Sequence, residues 1–173
     1  MNARPTLQRA WVGVGANLGD PQDQVRTAIS ALRPFGLTAC SSLYRSAPVD
    51  AVGPDFINAV CALDTALAAP DLLAALHAIE ASLGRTRPHR NAPRSIDLDL
   101  LLFGDEISTT DTLRLPHPRL HQRAFVLRPL LELSPELRVQ GLGHLADWLP
   151  SVADQRLERL AAPAHRPPPT MPA

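Results

Sequence analysis

Lysine is absent from this chain of 173 residues, because all 17 of its basic residues are arginine. The absence excludes Schiff-base chemistry, a lysine general base and a P-loop with its phosphate-binding lysine. Any phosphate-binding site in this chain must therefore use arginine, histidine or backbone N–H groups. Arginine suits that task, because its planar guanidinium group stays charged and binds phosphate through a fork of donors.

Cysteine and aromatic residues are also scarce. Cys40 and Cys61 have neither the spacing of a metal site nor the number of a disulfide framework, and their apolar surroundings predict buried free thiols. The net charge of +0 argues against a nucleic-acid-binding domain. No apolar run is long enough to span a membrane, and Trp11–Ala16 is too short for a secretory signal. We expect a cytoplasmic monomer that acts on small molecules, without nucleic-acid or membrane partners.

The apolar pattern predicts the element order β-α-β-β-α-β. Strands are expected at Ala10–Ala16, Leu37–Val49, Phe56–Leu67 and Ile96–Phe103, with helices that begin at Asp20–Pro21 and at Pro70. This order is typical of an α+β, ferredoxin-like fold, an antiparallel sheet with helices packed mainly on one face. Short helices and turns after the fourth strand are C-terminal additions. We expect one domain over residues 1–160 and a proline-rich, disordered tail over residues 161–173.

Asp97 and Asp99 lie on either side of Leu98 in an apolar strand. Side chains alternate across a strand, so both carboxylates lie on one face. Two like charges held side by side are costly near a core unless a cation lies between them, and Mg²⁺ on phosphate substrates typically uses one or two carboxylates. The pair therefore favours a magnesium site, although taken alone it is equally typical of an exposed strand face.

The segment Gly84–Arg94, just before this strand, carries no acidic residue and four arginines: Arg85, Arg87, Arg90 and Arg94. Its prolines and lack of periodicity predict a loop, and long loops in compact domains are often functional. A cationic loop beside paired carboxylates suits a polyphosphate, with metal on one side and guanidinium groups on the other. A single arginine is more often a solvated charge, so the prediction depends on the cluster.

Two further groups of residues indicate a site for a flat heterocycle. Phe56 and Asn58 share a strand face, where a ring and an amide can stack on a heterocycle and bind its edge, although a core phenylalanine is commoner. His117, held between prolines, is a candidate phosphate donor, with Arg123 beside it and Phe125 as a second aromatic wall. The alternative there is a surface turn followed by a helix. Together these features predict a magnesium- and ATP-dependent transfer of a phosphate-containing group to a small heterocyclic alcohol.

Taken in order, these motifs resemble the 6-hydroxymethyl-7,8-dihydropterin pyrophosphokinase family of folate biosynthesis. The resemblance covers roughly residues 11–137. Its arginine–aspartate stretch is highly specific, whereas the first motif alone is weak. The matching segments are Gly15–Asp20, Ser41–Ser46, Pro54–Ala59, Gly84–Arg87, Pro93–Asp99, Leu115–Pro118 and Arg123–Leu127.

The resemblance implies a diphosphokinase that transfers pyrophosphate from ATP to the pterin hydroxymethyl group and releases AMP. It implies that Asp97 and Asp99 hold two Mg²⁺ ions and are catalytic together with Arg85 and Arg94. It places the pterin among Ser46, Val49, Phe56, Asn58 and Phe125. It places ATP among Glu80, Arg85, Arg87, Arg94, His117 and Arg123. For Glu80 the alternative is a solvated helix face.

The chain departs from the family pattern in three places. Asn91 and Ala92 occupy the position of a usual Trp-Gly pair, Ala47 replaces a usual proline, and Pro118 stands where an aromatic residue is common. The lost tryptophan predicts slower or looser closure of the arginine loop. An Asn91→Trp variant with unchanged substrate affinity and turnover would contradict that prediction.

Two other function classes fit parts of the pattern. A nucleotidyltransferase or cyclase also places paired aspartates on a ferredoxin-like sheet, but it needs no pterin slot. An RNA-binding module shares the element order, but it predicts exposed aromatic residues and a basic surface. The aromatic content of 4% and the balanced charge argue against the second alternative.

Overall fold

The fold is described from a computed structural model, in which residues 4–49, 52–84 and 96–162 are described. The strands are β1 (Gln8–Ala16), β2 (Leu37–Cys40), β3 (Tyr44–Ser46), β4 (Phe56–Thr65), β5 (Asp97–Phe103), β6 (Ser108–Thr109), β7 (Arg114–Leu115), β8 (Arg138–Val139), β9 (Gly143–His144) and β10 (Leu157–Arg159). The α-helices are α1 (Pro21–Ala31), α2 (Ala69–Ser82) and α3 (Ala124–Leu133). Short 3-10 helices span Arg33–Phe35, Leu120–Gln122 and Leu145–Val152.

The main sheet has the order β10-β3-β4-β1-β5, and β2 pairs with β4 beside β3. Every pairing in it is antiparallel. An antiparallel sheet packed with α-helices is the architecture of the ferredoxin-like fold, so the predicted α+β fold class is confirmed. The division into one domain and a tail remains a prediction, because the tail lies almost entirely outside the described residues.

Each face of the sheet has its own core. Val12 and Val14 of β1 point to the face covered by α1 and α2, where they join the larger core. Trp11 points to the other face, where α3 and the 3-10 helix Leu145–Val152 pack. The two longer helices therefore share one face, and the C-terminal additions cover part of the other. No helix of the described residues is long and apolar enough to cross a membrane.

The first helix begins as its sequence predicts. The Asp20 side chain accepts a hydrogen bond from the backbone N–H of Asp23 at 3.1 Å, and Pro21 occupies the first turn. Both features act locally, because a cap satisfies one of the free N–H groups at the helix start and proline is preset for the first turn. Helix α2 likewise has a proline in its first turn.

The prediction of one continuous strand over Leu37–Val49 is wrong, because the chain breaks into β2 and β3 between Cys40 and Tyr44. At the break, hydrogen bonds to side chains take the place of the regular backbone hydrogen bonds between strands. The Ser41 hydroxyl accepts the Val60 N–H at 3.0 Å, and the Ser42 N–H donates to Glu132 of α3 at 2.9 Å. Hydroxyl groups that capture nearby backbone donors compete in this way with regular pairing.

A bulge in β5 sets which side chains face each side of the sheet. Trp11 pairs with Leu102 and Val12 pairs with Leu100, which leaves Leu101 without a partner in β1. Leu101 and Leu102 both join the core under α3, although they are consecutive. Before the bulge the alternation is regular, so Asp97 and Asp99 share the face of the sheet that α3 only partly covers.

Candidate active site

The floor of the candidate site consists of the uncovered ends of the three neighbouring strands β4, β1 and β5. In the register, Gly13 lies opposite Asp99, and Gly15 lies opposite both Asp97 and Asn58. Because neither glycine carries a side chain, β1 leaves a trough between the carboxylates of β5 and the amide of β4. The trough forms the floor of a cavity of about 200 Å³.

This first cavity has aromatic walls and one buried amide. The structure brings together in its lining all five residues predicted to bind a pterin: Ser46, Val49, Phe56, Asn58 and Phe125. The Arg123 guanidinium group lies over the Phe125 ring, 5.5 Å from its centre. Cations stack favourably on aromatic faces, so each side chain restrains the other. The arrangement is a slot for a flat, polar ring, and the binding roles of the five residues remain predictions.

The Asn58 amide is tightly held within the slot. Its side chain is only 6% exposed, and its Nδ2 donates a hydrogen bond to the Ser46 hydroxyl at 2.8 Å. A Cβ added at Gly15 would lie 2.9 Å from Asn58 Oδ1, closer than real Cβ atoms approach such a neighbour. A serine on one side and the missing side chain on the other thus set the amide's position.

A second, wider cavity of about 540 Å³ lies on the other side of the aspartates. Its lining includes Glu80 and His117, which the sequence predicted to bind ATP. Asp97, Asp99 and Arg123 line both cavities. Two carboxylates and one guanidinium group therefore lie where the two spaces meet.

The surroundings of His117 favour the neutral form of its imidazole. Burial lowers the pKa of its imidazole, the positive charges of Arg123 and Arg119 lower it further, and Asp97 opposes them. The backbone N–H of Arg119 donates to His117 Nδ1 at 3.2 Å. With Nδ1 acting as an acceptor, the proton of the neutral ring lies on Nε2. Nε2 can then donate to an anionic oxygen in the second cavity.

Glu80 does not lie on a solvated helix face, so the alternative that its sequence allowed is excluded. Its side chain is 2% exposed and accepts a hydrogen bond from the backbone N–H of Leu98 at 2.8 Å. Leu98 separates the two aspartates on β5, and among the described strands β5 pairs with β1 alone. The Glu80 carboxylate therefore fixes the edge strand that carries the aspartates.

Several residues of the second cavity were missed by sequence reasoning. His77 comes from α2, Arg119 follows His117, and a third group, residues 111–114, lies in the β6–β7 turn and the start of β7. No local pattern marks them, because tertiary packing brings α2, the β6–β7 hairpin and Arg119 to one cavity. Gly13 and Gly15 did carry a signal, since two glycines at alternate positions of a strand clear one face.

Four predicted residues lie outside the described residues. They are Arg85, Arg87, Arg90 and Arg94. The departure at Asn91 and Ala92 lies in the same segment. The roles predicted for them stay predictions. The strand that follows this segment begins at Asp97, on the boundary of both cavities.

Comparison with known proteins agrees with this geometry. Residues 11–135 match the family profile of 7,8-dihydro-6-hydroxymethylpterin-pyrophosphokinase (HPPK). The 2-amino-4-hydroxy-6-hydroxymethyldihydropteridine pyrophosphokinase of Pseudomonas aeruginosa is 44% identical over 158 residues, which cover 89% of this chain and 98% of that protein. The protein of the same name from Haemophilus influenzae is 34% identical over 155 residues, covering 87% and 97%.

The solved structures support the fold at low sequence identity. The crystal structure of wild-type HPPK-DHPS from Plasmodium falciparum with pteroate superposes with a TM-score of 0.70 at 13% identity. The superposition covers 84% of this chain but 44% of that longer one. From the profile match and the two full-length relatives, we conclude that this chain belongs to the 7,8-dihydro-6-hydroxymethylpterin-pyrophosphokinase family.

Proposed function

We propose that this protein transfers the pyrophosphoryl group of ATP to the hydroxymethyl oxygen of 6-hydroxymethyl-7,8-dihydropterin, giving the pterin diphosphate and AMP in folate biosynthesis. The observation that carries the proposal is the junction of the two cavities at Asp97, Asp99 and Arg123. The narrower cavity suits a flat alcohol, and the wider one suits a nucleotide. The charged groups lie where the alcohol and the polyphosphate would meet.

The pterin would lie in the slot between Phe56 and Phe125. Aromatic faces stack on flat heterocycles, and the Asn58 amide offers an acceptor and a donor to the ring edge. Backbone groups near Ser46 and Val49 would complete the hydrogen bonds. These assignments are supported by the fact that all five residues line the same cavity.

Asp97 and Asp99 would hold two Mg²⁺ ions, and the donor set fits this metal. Mg²⁺ prefers hard oxygen ligands, keeps several waters and is often bound through one or two carboxylates together with substrate phosphates. In the part of the chain that the structure describes, no group of three or more His, Cys, Asp or Glu side chains forms a protein-only metal site. When bound with ATP, the ions would neutralise charge on the phosphate oxygens.

ATP would lie in the wider cavity. His117 Nε2 would donate to a phosphate oxygen, Arg123 would approach the transferred group, and Glu80 would lie beside the nucleotide. Arg85, Arg87 and Arg94 would steady the phosphates from the loop. Because burial and the neighbouring arginines lower the pKa of His117, its neutral form would contribute a directed hydrogen bond without adding positive charge.

The chain's own contribution to the reaction is positioning and electrostatics. The hydroxymethyl oxygen attacks the β-phosphorus in line with the bond to the leaving AMP, and such transfers need little covalent work from the protein. Arg123 restrains Phe125 and borders both cavities, so one side chain orients the pterin and faces the phosphates. We assign no general base. We further propose that the protein works as a cytoplasmic monomer, without nucleic-acid or membrane partners.

The test is to incubate the pure protein with ATP, Mg²⁺ and 6-hydroxymethyl-7,8-dihydropterin and to identify the nucleotide product. Pterin-dependent AMP is expected. An Asp97→Asn variant should lose at least about a hundredfold in kcat, the scale seen when one electrostatic group is removed from a preorganised site. Asp154→Asn, a change at an exposed aspartate outside both cavities, is the matched control and should keep full activity.

Other products would contradict the proposal in distinguishable ways. Pterin-dependent ADP would mean transfer of a single phosphoryl group. Release of free pyrophosphate would mean nucleotidyl transfer. A folded protein that binds both substrates without turnover would overturn the assignment of an enzyme.

A further inference from the structure

The two cysteines of the chain meet on the sheet face opposite the candidate active site. Cys40 ends β2, Cys61 lies within β4, and the two residues are direct partners in the antiparallel pairing. Their Sγ atoms are 3.2 Å apart. Because the whole sequence contains 2 cysteines, each is the other's one possible partner for an intramolecular disulfide.

The backbone around the pair suits a covalent link. The Ser41 N–H donates to the Val60 carbonyl at 2.9 Å, so the neighbouring Cys40–Cys61 pair falls between ladder hydrogen bonds. At such positions of an antiparallel pair the side chains approach most closely, with Cα atoms about 4.5 Å apart. That spacing is within the range of disulfides, whose sulfur atoms are about 2.05 Å apart. Each thiol needs only a small side-chain rotation to close the remaining gap.

The two thiols are unequal, which sets the order of reaction. Cys40 is partly exposed, whereas Cys61 is 0% exposed. The hydrogen bond with Cys61 lowers the pKa of the Cys40 thiol, with Arg33 adding to this effect and burial opposing it. The same hydrogen bond and burial raise the pKa of the Cys61 thiol. Cys40 is thus the more accessible sulfur and the one with more thiolate character.

We propose that Cys40 and Cys61 form a modification site that a small disulfide closes into an intramolecular, cross-strand disulfide. The Cys40 thiolate attacks one sulfur of the small disulfide, forms a mixed disulfide and releases one thiolate. The Cys61 sulfur then attacks Cys40 Sγ and expels the second thiolate. The two cysteine protons pass to the two released thiolates, so two protein thiols are oxidised and one small disulfide is reduced to two thiols.

The link would close a loop over residues 40–61. This loop contains Ser46, Val49, Phe56 and Asn58, which line one side of the slot. A cross-link restricts mainly the unfolded chain, so it stabilises the segment between its ends. In a reducing compartment the pair would stay as two thiols. The proposal stands on sulfur geometry and does not depend on the proposed enzymatic activity.

The test uses the full-length wild-type protein, reduced and then incubated with oxidised glutathione. Intact mass should fall by two hydrogens, both thiols should become unreactive to an alkylating reagent in denaturant, and the protein should stay monomeric without reductant. The midpoint of thermal unfolding should rise by about 5–15 °C and return on reduction. Cys40→Ser and Cys61→Ala should each abolish the loss of two hydrogens and the shift in the unfolding midpoint. Cys61→Ala should instead keep a glutathione adduct on Cys40, because no second thiol is present to displace it.

Three results would each overturn the proposal. One is a stable glutathione adduct on Cys40 without ring closure. Another is a dimer linked between chains. The third is a pair of thiols that still react fully in denaturant after prolonged oxidation. Because every readout is a mass, a thiol count or an unfolding midpoint, failure here leaves the pyrophosphokinase assay untouched.

Discussion

At the scale of single residues, the slot depends on the side chain that Gly15 lacks. A methyl group there would lie 2.9 Å from Asn58 Oδ1 and would displace the amide. We expect Gly15→Ala to weaken pterin binding roughly tenfold or more, since a mispositioned hydrogen-bonding group costs 1.4 kcal/mol or more of binding free energy, about a factor of ten. The affinity for ATP should change little. Titration of each substrate against the variant measures both.

Gly13→Ala is the matched comparison for this prediction. It adds the same methyl group two residues away on the same strand face, where the nearest atoms belong to Leu101 at 3.6 Å, an ordinary contact. Its effect on pterin affinity should be clearly smaller. Equal losses in the two variants would show that filling the trough, rather than moving Asn58, is what matters. Ser46→Ala removes the hydroxyl that accepts the hydrogen bond from Asn58 Nδ2, so it should also weaken pterin binding. Ser46→Thr keeps that hydroxyl and should bind the pterin more tightly than Ser46→Ala.

Tyr44 offers a spectroscopic readout of the packing of α3, because the sequence contains 1 tyrosine. Burial raises the pKa of its phenol to about 12, and the hydrogen bond to Glu132 adds to the effect. Phenolate absorbance of the folded protein should therefore titrate near pH 12, about two units above an exposed tyrosine. In Glu132→Gln the midpoint should fall but stay above 10, since burial remains.

The same shift predicts how stability depends on pH. The folded-state pKa lies above the unfolded-state value, so the contribution of Tyr44 is complete below about pH 10 and is lost as pH rises through about 12. Denaturant titrations of wild type and Tyr44→Phe should differ in pH dependence only within that window. A folded-state phenol that titrates near pH 10 would contradict both expectations.

At the scale of secondary-structure elements, Gly36 marks the entry to β2. Its φ is 91°, and an added Cβ would collide with the backbone carbonyl of Asp64. Gly141 has a similar φ of 84° in the turn before β9, with nothing within 4 Å of an added Cβ. We expect Gly141→Ala to cost about 1–2 kcal/mol of unfolding free energy from the left-handed backbone alone. Gly36→Ala should cost several kcal/mol.

Denaturant unfolding of the two glycine variants separates conformational strain from collision. Both variants carry the cost of placing alanine in a left-handed backbone conformation, whereas only Gly36→Ala also has the collision with Asp64. Similar losses in the two variants would mean that β4 moves aside without cost. That outcome is not expected, because the backbone at Asp64 also donates to the Gly36 carbonyl at 2.8 Å.

Elements set by neighbouring residues could be predicted, and those set by distant ones could not. Asp20 and Pro21 define the start of α1 locally, and period-two alternation placed Asp97 and Asp99 on one face. The break between β2 and β3 was missed, because it depends on Glu132, 90 residues after Ser42. The bulge in β5 was missed too, since consecutive leucines give no sign of where pairing slips.

At the scale of the whole molecule, the site joins parts of the chain that lie far apart. Asp97, Phe56 and Phe125 belong to three motifs, and the prediction that they meet followed from the family resemblance rather than from spacing. The position of the β6–β7 hairpin and Arg119 at the second cavity had no comparable signal. Tertiary packing alone brings them there.

The pairing of β10 with β3 also acts at this scale. Arg156 binds Asp55 at 2.8 Å, and Leu157 pairs with Ser46 in the register. A chain that ends after residue 155 should therefore lose pterin affinity more than ATP affinity, because β10 pairs with Ser46 of the slot, whereas no residue of β10 is in the described lining of the second cavity. A chain that ends after residue 162 keeps β10 and is the matched control. Equal binding by the two truncated chains would contradict the expectation.

This closing strand also constrains how the protein can be made. A ribosome releases the chain from the first residue onward, and domains fold as units during synthesis. β3 and β4 emerge early, yet β3 gains its outer neighbour only when residues 157–159 have been added. Until those residues have been made, the nascent sheet therefore exposes the backbone of β3, an unpaired edge of the kind that invites wrong pairing.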